Sequence, residues 1–450
     1  MKKIAIIGAG ESGFGAALLA HAKAHEVFVS DAGNISDERK AVLSQKGIHY
    51  EEQGHSLEKL LQAEEVIKSP GIAYSHPAIQ EIVKAGIPVI DELEFASRYT
   101  RGRIIAITGT NGKTTTSLLT YHLMKSTDLD VGLAGNVGQS WAGQLVSEDH
   151  DWWVLEVSSF QIEGFRAFKP KIAVLLNITP DHLDRYQQNL DEYIATKMRL
   201  TDNMDEKGHF IYFGEDDYLK SGLEKMKGVP KKYAIHSDQK ESSGFYFDDK
   251  AVHLDADGER WSWNAEEMAL KGRHNMINSL CAILAVKLAG GKKDGIGKGL
   301  RSFKNAPHRL EFSGEIHGIS FINDSKGTNV DATAYALATF SQPIIWIAGG
   351  IDKGNDYTVL FPIVKGRVKA LVCLGKDNKK LKAAFEGLVP EIIETEKMAE
   401  AVGQSLKLGK PGDVVLLSPA CASFDLFKNY EDRGNQFKAA VEELKESSKW

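Results

Sequence analysis

The stretch 104–124 constrains the fold of this chain more than any other. Apolar, mostly β-branched residues lead into the loop TGTNGKTT (108–115), and an apolar-periodic segment follows. A strand, a glycine-containing loop and a helix in this order are typical of a phosphate-binding loop, where backbone N–H groups and the helix N-terminus hold phosphate oxygens. We expect Lys113 to contact the β- and γ-phosphates of ATP and Thr114 to hold the accompanying Mg²⁺. The usual spacing has a glycine where Ile107 stands, so the sequence indicates a variant loop.

Composition narrows the class of protein. The 450 residues suggest three domains at roughly 150 residues each, and 42% apolar with 26% charged residues is typical of a globular protein. The net charge is −6 with scattered Lys and Arg, which argues against nucleic-acid partners and membrane surfaces. No apolar run approaches the ~18 residues of a membrane span, so we expect a cytoplasmic protein. Cys281, Cys373 and Cys421 show no metal-ligand spacing, which predicts reduced, buried thiols.

The N-terminal segment carries a second glycine motif. GAGESG (8–13) follows a short apolar strand and fits G-x-G-x-x-G, and Asp31 ends the next strand. An acid at that place can accept a hydrogen bond from a ribose hydroxyl or a base edge in a dinucleotide fold. The motif does not distinguish NAD from another nucleotide diphosphate, and a tight turn needed only for packing is also open. A turn at 69–71 follows a later strand of the same segment.

Polar residues follow the predicted strands of the middle segment. Glu156 ends an apolar run, where burial of an unpaired carboxylate would be costly. We therefore expect Glu156 either to bind a metal cation or to form a salt bridge, and we favour Mg²⁺. His182 lies in a polar cluster after the next strand, where a purely structural loop histidine is equally open. Lys197 lies in a predicted helix, and by itself such a lysine is a solvated surface residue. Asn275 and Asn278 share one helix face, where they could read adenine or cap the helix.

The remaining chain continues the alternation of strands and helices. Short alternating segments at 244–263 predict an antiparallel addition to the middle domain. In the last third we expect strands at 316–322, 344–348, 370–374 and 414–417. Polar loops follow three of them, at 323–329, 349–354 and 418–425. Because ligands bind beyond the carboxyl ends of parallel strands, these loops predict a third binding region.

Several motifs together resemble one enzyme family. They are TGTNGKTT (108–115), EVSS (156–159), NITPDHLD (177–184), GRHN (272–275), HR (308–309) and NDSK (323–326). In order and spacing they resemble the Mur ligases, the ATP-dependent amide-forming enzymes of peptidoglycan synthesis. GAGESG (8–13), DSKGTN (324–329) and SPACASF (418–424) resemble the members that add D-glutamate to UDP-N-acetylmuramoyl-L-alanine. The Asp-Asn-Pro-Arg signature of the diaminopimelate- or lysine-adding members is absent.

The resemblance implies an α/β protein of three domains, and we expect it to be a monomer. We expect a Rossmann-like, UDP-sugar-binding domain at 1–99 and a central P-loop ATPase-type domain with a mostly parallel sheet at 100–301. A Rossmann-like, amino-acid-binding domain follows at 302–450. UDP-N-acetylmuramoyl-L-alanine, D-glutamate and ATP are the implied substrates, and two Mg²⁺ ions are the implied cofactors.

The resemblance also implies a role for particular residues. The expected catalytic residues are Lys113, Asn136, Glu156, His182 and Lys197. ATP would be held by Gly109, Thr110, Asn111, Gly112, Lys113, Thr114, Thr115, Asn275, Asn278, Arg309 and Asp324. Substrate contacts are implied for Ser12, Asp31, Ser69, Gly71, Asn136, Ser158, His182, Lys326, Thr328, Lys353, Ser418 and Phe424. Metal ligands would be Thr114 and Glu156 for one ion, and His182 and Lys197 for the other, with Lys197 carbamylated because an ammonium cannot bind a metal ion.

Three alternatives remain at the level of the sequence. A nicotinamide-dependent oxidoreductase would use the motif at 8–13 with Asp31, but it leaves the phosphate loop unexplained. A non-catalytic nucleotide-binding regulator would not need Glu156, His182 and Lys197. Inside the family, an L-alanine-adding or folylpolyglutamate synthase-like ligase is the nearest alternative.

Overall fold

A computed structural model describes residues 1–181, 183–238, 244–256, 259–352 and 354–447. Three sheets flanked by helices form an α/β fold, as expected. Their strands are largely buried apolar runs, as parallel sheets covered on both faces require. Within the described ranges no helix is long and apolar enough to cross a membrane.

The first sheet has five parallel strands in the order β3-β2-β1-β4-β5. Its strands are β1 (Lys3–Ile7), β2 (Glu26–Ser30), β3 (His49–Glu51), β4 (Glu65–Lys68) and β5 (Val89–Asp91). Its helices are α1 (Glu11–Ala22), α2 (Asp37–Gln45), α3 (Leu57–Leu60), α4 (Pro77–Lys84) and α5 (Glu92–Ala96). This strand order is that of a Rossmann-like sheet, and it gathers the ends of β1, β2 and β4 at one edge.

The second sheet has nine strands in the order β14-β13-β12-β11-β10-β9-β6-β8-β7. Its strands are β6 (Arg103–Thr108), β7 (Val131–Gly135), β8 (Trp152–Glu156), β9 (Ile172–Leu175), β10 (His209–Phe213), β11 (Lys231–His236), β12 (Gly244–Phe247), β13 (Ala251–Ala256) and β14 (Glu259–Asn264). The helices are α6 (Lys113–Ser126), α7 (Trp141–Gln144), α8 (Ser159–Ile162), α9 (Leu190–Met198), α10 (Asp217–Glu224), α11 (Arg273–Leu288) and α12 (Lys293–Ser302). In the described part of this sheet, antiparallel pairs form only between β12 and β13 and between β13 and β14, which confirms the predicted antiparallel addition.

The third sheet has six strands in the order β15-β16-β20-β17-β18-β19. Its strands are β15 (Glu311–Ile316), β16 (Ile319–Asn323), β17 (Ile344–Ala348), β18 (Val368–Leu374), β19 (Glu391–Thr395) and β20 (Val414–Leu417). Its helices are α13 (Val330–Ala338), α14 (Phe361–Val364), α15 (Lys379–Phe385), α16 (Met398–Leu408) and α17 (Tyr430–Ser447). The single strand predicted at 316–322 is wrong, because His317 and Gly318 take positive φ angles of 51° and 76° and turn the chain into the hairpin β15–β16.

Contacts divide the chain into two compact units rather than three. One unit comprises Met1–Leu270 and Asn275–Phe303, and the other comprises Lys271–His274 and Lys304–Trp450. The first unit therefore contains the first two sheets, and the three-domain division at 99/100 and 301/302 stays a prediction.

Helix α5 connects the first two sheets through hydrogen bonds of two buried glutamates. The buried carboxylate of Glu94 accepts hydrogen bonds from three consecutive backbone N–H groups, at positions 166–168, with N···O distances of 3.0, 3.1 and 2.8 Å. Glu92 accepts from the Ser140 hydroxyl at 2.8 Å and from the Ala142 N–H at 2.6 Å. Burial of such carboxylates is tolerated only with partners, and here the partners lie in segments that connect strands of the second sheet.

Candidate active site

The predicted phosphate loop lies at the carboxyl end of β6, which pairs with β8 on one side and β9 on the other. The loop spans 109–112, and α6 begins at Lys113. Gly112 has φ +84°, and a Cβ there would lie 2.5 Å from the Asn278 side-chain oxygen. This close approach explains why the loop needs a glycine before Lys113. Ile107, in contrast, is a buried residue of the strand itself.

The loop after β9 holds the phosphate loop in place. Asn177 accepts from the backbone N–H of Asn111 at 2.9 Å and donates to the carbonyl of Asn111 at 3.1 Å. Thr110 donates to the carbonyl of Thr179 at 3.1 Å and lies 3.1 Å from the hydroxyl of Tyr193. Asn177 opens the cluster NITPDHLD that the sequence singled out, whereas nothing in the sequence pointed to Tyr193.

Two lysines meet at one carbonyl of this loop. The ammonium groups of Lys113 and Lys197 each lie 2.9 Å from the carbonyl oxygen of Gly109, and Lys113 also donates to Thr110 at 2.8 Å. Lys197 is 1% exposed and lies over the ring of Tyr193 at 4.7 Å. Burial, and after it the positive charge of Lys113, hold the pKa of Lys197 well below its ordinary value. The interpretation of Lys197 as a solvated surface residue is therefore wrong.

Glu156 and Asn136 form a buried pair at the ends of β8 and β7. Glu156 is 1% exposed, and its Oε1 accepts from the side-chain amide of Asn136 at 2.7 Å. Its second oxygen, Oε2, is buried without a hydrogen-bond partner in the described part of the chain. No ion pair of Glu156 occurs among the described residues either, so the salt-bridge alternative finds no support there. A buried, half-satisfied carboxylate is the kind of hard oxygen ligand that suits Mg²⁺.

The predicted metal set is described only in part. Thr114 lies in the first turn of α6, and Glu156 and Lys197 are placed as above. His182 lies outside the described residues. In the described ranges no group of three His, Cys, Asp or Glu side chains could hold a metal ion, but the predicted set also relies on a threonine and a modified lysine.

The predicted residues of the first sheet lie around its glycine loop. Asp31 accepts from the backbone N–H of Ala9 at 2.6 Å, and Ser69 donates to the carbonyl of Gly8 at 3.3 Å. Ser12 is half-buried in the first turn of α1, and Gly71 is exposed. The ends of β1, β2 and β4 are thus tied together through residues that the motif singled out.

Three further predicted residues of the first unit carry local structural contacts. Ser158 caps α8 in a reciprocal pair with Gln161. Asn278 donates to the side chain of Asn275 at 3.1 Å, and both are buried in α11. Their assignments to substrate and adenine stay predictions.

In the second unit, Asp324 and Ser418 form a buried pair. The Ser418 hydroxyl donates to Asp324 at 2.9 Å, and its oxygen lies 3.0 Å from that of Thr333. Burial raises the pKa of Asp324 to about 6, against the opposing charge of Arg309. The Nε of Arg309 is buried without a hydrogen-bond partner among the described residues. Ser418 is fully buried, so a contact between its hydroxyl and a substrate carboxylate would require a rearrangement of this pair.

The other predicted residues of this unit are more accessible. Lys326 and Thr328 are half-buried in the loop after β16, and the Lys326 ammonium lies 5.4 Å from the centre of the Tyr430 ring. Phe424 is 68% exposed in the loop after β20. Lys353 lies outside the described residues.

Comparison with known proteins identifies relatives of this chain. Family models match the MurD N-terminal domain at residues 3–77, the Mur ligase middle domain at 107–286 and the Mur ligase glutamate ligase domain at 308–421. The UDP-N-acetylmuramoylalanine–D-glutamate ligase of Bacteroides thetaiotaomicron is 48% identical over 99% of this chain and 100% of that protein.

Two solved structures show the same fold at low identity. A pseudomurein peptide ligase type C from Methanothermus fervidus has a TM-score of 0.63 at 19% identity, covering 99% of this chain and 100% of that one. MurF ligase from Thermotoga maritima in complex with ADP has a TM-score of 0.61 at 15% identity, covering 93% and 96%. The chain belongs to the ATP-dependent Mur ligase family, in the branch whose members carry the MurD N-terminal domain.

Proposed function

We propose that this chain is the ligase that adds D-glutamate to UDP-N-acetylmuramoyl-L-alanine in peptidoglycan synthesis, with cleavage of ATP to ADP and phosphate. One observation carries the choice of substrates: near-complete coverage, at 48% identity, by an enzyme whose name states this reaction. The monomeric state and the cytoplasmic location stay predictions.

The chemistry follows from the weakness of a carboxylate as an acylating agent. In the first step the terminal carboxylate of the UDP-sugar substrate attacks the γ-phosphorus of ATP, and ADP leaves. In the second step the amine of D-glutamate attacks the acyl carbon, phosphate leaves and the nitrogen loses a proton. Both steps bring anions together, so positive charge must be concentrated at the γ-phosphate. Lys113, at the start of α6, supplies such a charge beside the loop.

We infer sites for two Mg²⁺ ions, which when bound would neutralise the phosphate oxygens. Thr114 and Glu156 would hold one ion, and the orphaned Oε2 of Glu156 is the observation that supports this assignment. His182 and Lys197 would hold the other. Asn136 would keep Glu156 oriented through its 2.7 Å hydrogen bond and contact the muramoyl substrate.

Lys197 would act as a metal ligand only after carbamylation. The neutral amine attacks the carbon of CO₂ and loses a proton, and the resulting carbamate offers anionic oxygens. Two features support this step: Lys197 is buried, and it forms no ion pair within the described ranges. The remaining assignments to ATP, to the UDP-sugar and to D-glutamate stay as the resemblance implies.

A substrate panel tests the proposed reaction. With ATP, Mg²⁺ and UDP-N-acetylmuramoyl-L-alanine, we expect phosphate release with D-glutamate and far less with L-glutamate, L-alanine, L-lysine or diaminopimelate. L-alanine and L-lysine lack the second carboxylate and would leave charged donors of the site unmatched, which can reach ~10⁴-fold discrimination. L-glutamate has both carboxylates, but the L isomer anchored by them would point its amine away from the acyl phosphate. Release with L-alanine and UDP-N-acetylmuramate would instead identify an L-alanine-adding ligase, and no release with any amino acid would contradict an enzyme of this class.

A second experiment tests the carbamate. Lys197→Ala should be nearly inactive and should regain part of its turnover when formate or acetate occupies the vacated space. Lys197→Arg should stay inactive with or without added acid, because a guanidinium keeps its proton. Lys220→Ala, at an exposed lysine of α10, is the control and should behave as wild type. Full activity in Lys197→Ala would refute a ligand role for this lysine.

A further inference from the structure

Arg433 is an almost completely buried cation in the second turn of α17, with 1% of its surface exposed. Its Nε donates to the Ser325 hydroxyl at 3.0 Å, and one terminal nitrogen donates to the Ser325 carbonyl at 2.9 Å. The same guanidinium contacts the carbonyl of Gly349 at 3.4 Å and that of Cys421 at 3.3 Å. A single side chain thus contacts three separate loops.

These three loops follow neighbouring strands of the third sheet. Ser325 follows β16, Gly349 follows β17, and Cys421 follows β20, which lies between the other two strands. The loops carry the residues that the resemblance implies as substrate contacts within the amino-acid-binding domain at 302–450: Lys326, Thr328, Lys353, Ser418 and Phe424. Within the described residues, Arg433 forms hydrogen bonds with all three of these loops.

The cost of burying a charge argues against a role for Arg433 in core packing alone. It forms no ion pair in the described ranges, so neutral oxygens must replace most of its hydration, and desolvation of a charge costs several kcal/mol. Burial lowers its pKa to about 10, so it remains charged near neutral pH. An apolar side chain would avoid this cost. The planar guanidinium, however, can direct several donors to fixed positions at once, which an ammonium cannot do.

We propose that Arg433 is a positioning residue for the amino-acid substrate. By holding the carbonyls of Ser325, Gly349 and Cys421 around one rigid fork, it sets the spacing of the three loops and thereby the affinity for D-glutamate. The proposal rests on the proposed function, because that function assigns these loops to the amino acid. It does not place Arg433 in contact with the substrate.

Two variants separate positioning from mere stability. Arg433→Lys keeps the charge but loses the fork, and Arg433→Met keeps much of the apolar volume. We expect the KM for D-glutamate to rise at least tenfold in both, with the KM values for ATP and UDP-N-acetylmuramoyl-L-alanine within twofold of wild type. Lys438→Met is the matched control on α17, since Lys438 hydrogen-bonds to Glu311 and, among the described residues, to none of the three loops, and it should leave all KM values unchanged.

Hydrogen exchange supplies a readout that does not depend on the choice of substrate. Backbone amides in the loops at 323–329, 349–352 and 418–425 should exchange faster in folded Arg433→Lys than in wild type or Lys438→Met. If wild type preferred another amino acid of the panel, the proposed function would fail, and the KM comparison would be made with that amino acid. Unchanged exchange together with an unchanged amino-acid KM in folded Arg433→Lys would overturn the positioning role, as would equal rises in all three KM values.

Discussion

Replacement of Glu156 by glutamine should stabilise the metal-free protein while it abolishes the response to Mg²⁺. The Oε2 atom of Glu156 is buried without a hydrogen-bond partner among the described residues, and only Asn136 compensates the other oxygen. Glutamine has nearly the same shape and keeps an oxygen for Asn136. Glu156→Gln therefore removes a buried charge without opening a cavity.

The size of the effect follows from two opposing terms. Burying a carboxylate costs several kcal/mol, and a hydrogen bond to a charged acceptor returns about 1.5 to 3 kcal/mol. The difference predicts that, in the absence of a cation, the free energy of unfolding of Glu156→Gln exceeds that of wild type by about 2 kcal/mol. At roughly 2 °C per kcal/mol for a large domain, Tm should rise by about 4 °C.

Thermal unfolding in two buffers measures this trade-off. In EDTA we expect Glu156→Gln to melt above wild type. With Mg²⁺ and a non-hydrolysable ATP analogue, wild type should gain stability through ligand binding, whereas the variant should gain much less. Glu81→Gln, at an exposed glutamate of α4, should match wild type in both buffers. A lower Tm of Glu156→Gln in EDTA, or an undiminished response to Mg²⁺, would refute the assignment of Glu156 to a metal.

Three further predictions concern the first unit. Glu94→Ala leaves three backbone N–H groups without their acceptor and should lower the free energy of unfolding in urea by about 3 kcal/mol, against less than about 0.5 kcal/mol for exposed Glu81→Ala. Burial raises the pKa of Glu92 from 4.5 to about 7. Because the unfolded chain ionises first, the free energy of unfolding of the wild type should decrease by up to about 3 kcal/mol as the pH rises from 4.5 to 7. This decrease should be absent in Glu92→Gln. Lys113→Ala should abolish phosphate release but keep the calorimetric affinity for UDP-N-acetylmuramoyl-L-alanine within a few-fold; a joint loss would contradict separate sites.

Local sequence patterns predicted the parts of the site that depend on short-range chemistry. The loop at 109–112 was evident because a buried strand, two glycines and a helix start are contiguous in the chain. The polar loops after β16, β17 and β20 were evident because apolar runs end in polar clusters. The hairpin at 311–323 was missed, because its turn depends on left-handed backbone at His317 and Gly318, and the apolar residues on either side read as one continuous strand.

Contacts between distant parts of the chain leave no local pattern in the sequence. Lys197 reads as an ordinary helix lysine until α9 is packed against the phosphate loop. Arg433 lies in a charged, helical segment that gives no sign of burial. The attachment of α5 to the second sheet depends on Glu92 and Glu94, whose acceptor role appears only when loops far along the chain are placed beside them. In each case the role of the residue follows from the burial of its charged side chain, and this burial is not evident from a single sequence.

The shared contact of Lys113 and Lys197 with the Gly109 carbonyl bears on why the family would use a carbamate at this position. Two ammonium groups at one oxygen repel each other, and the repulsion grows as burial reduces solvent screening. Loss of a proton from Lys197 removes this repulsion and also generates the neutral amine that reacts with CO₂. The proposed carbamylation would then replace a like-charge pair by an attraction between a carbamate and Lys113. The arrangement that makes an unmodified Lys197 unfavourable is therefore the same arrangement that would stabilise its modified form, so removal of the Lys113 charge should weaken carbamylation as well as catalysis.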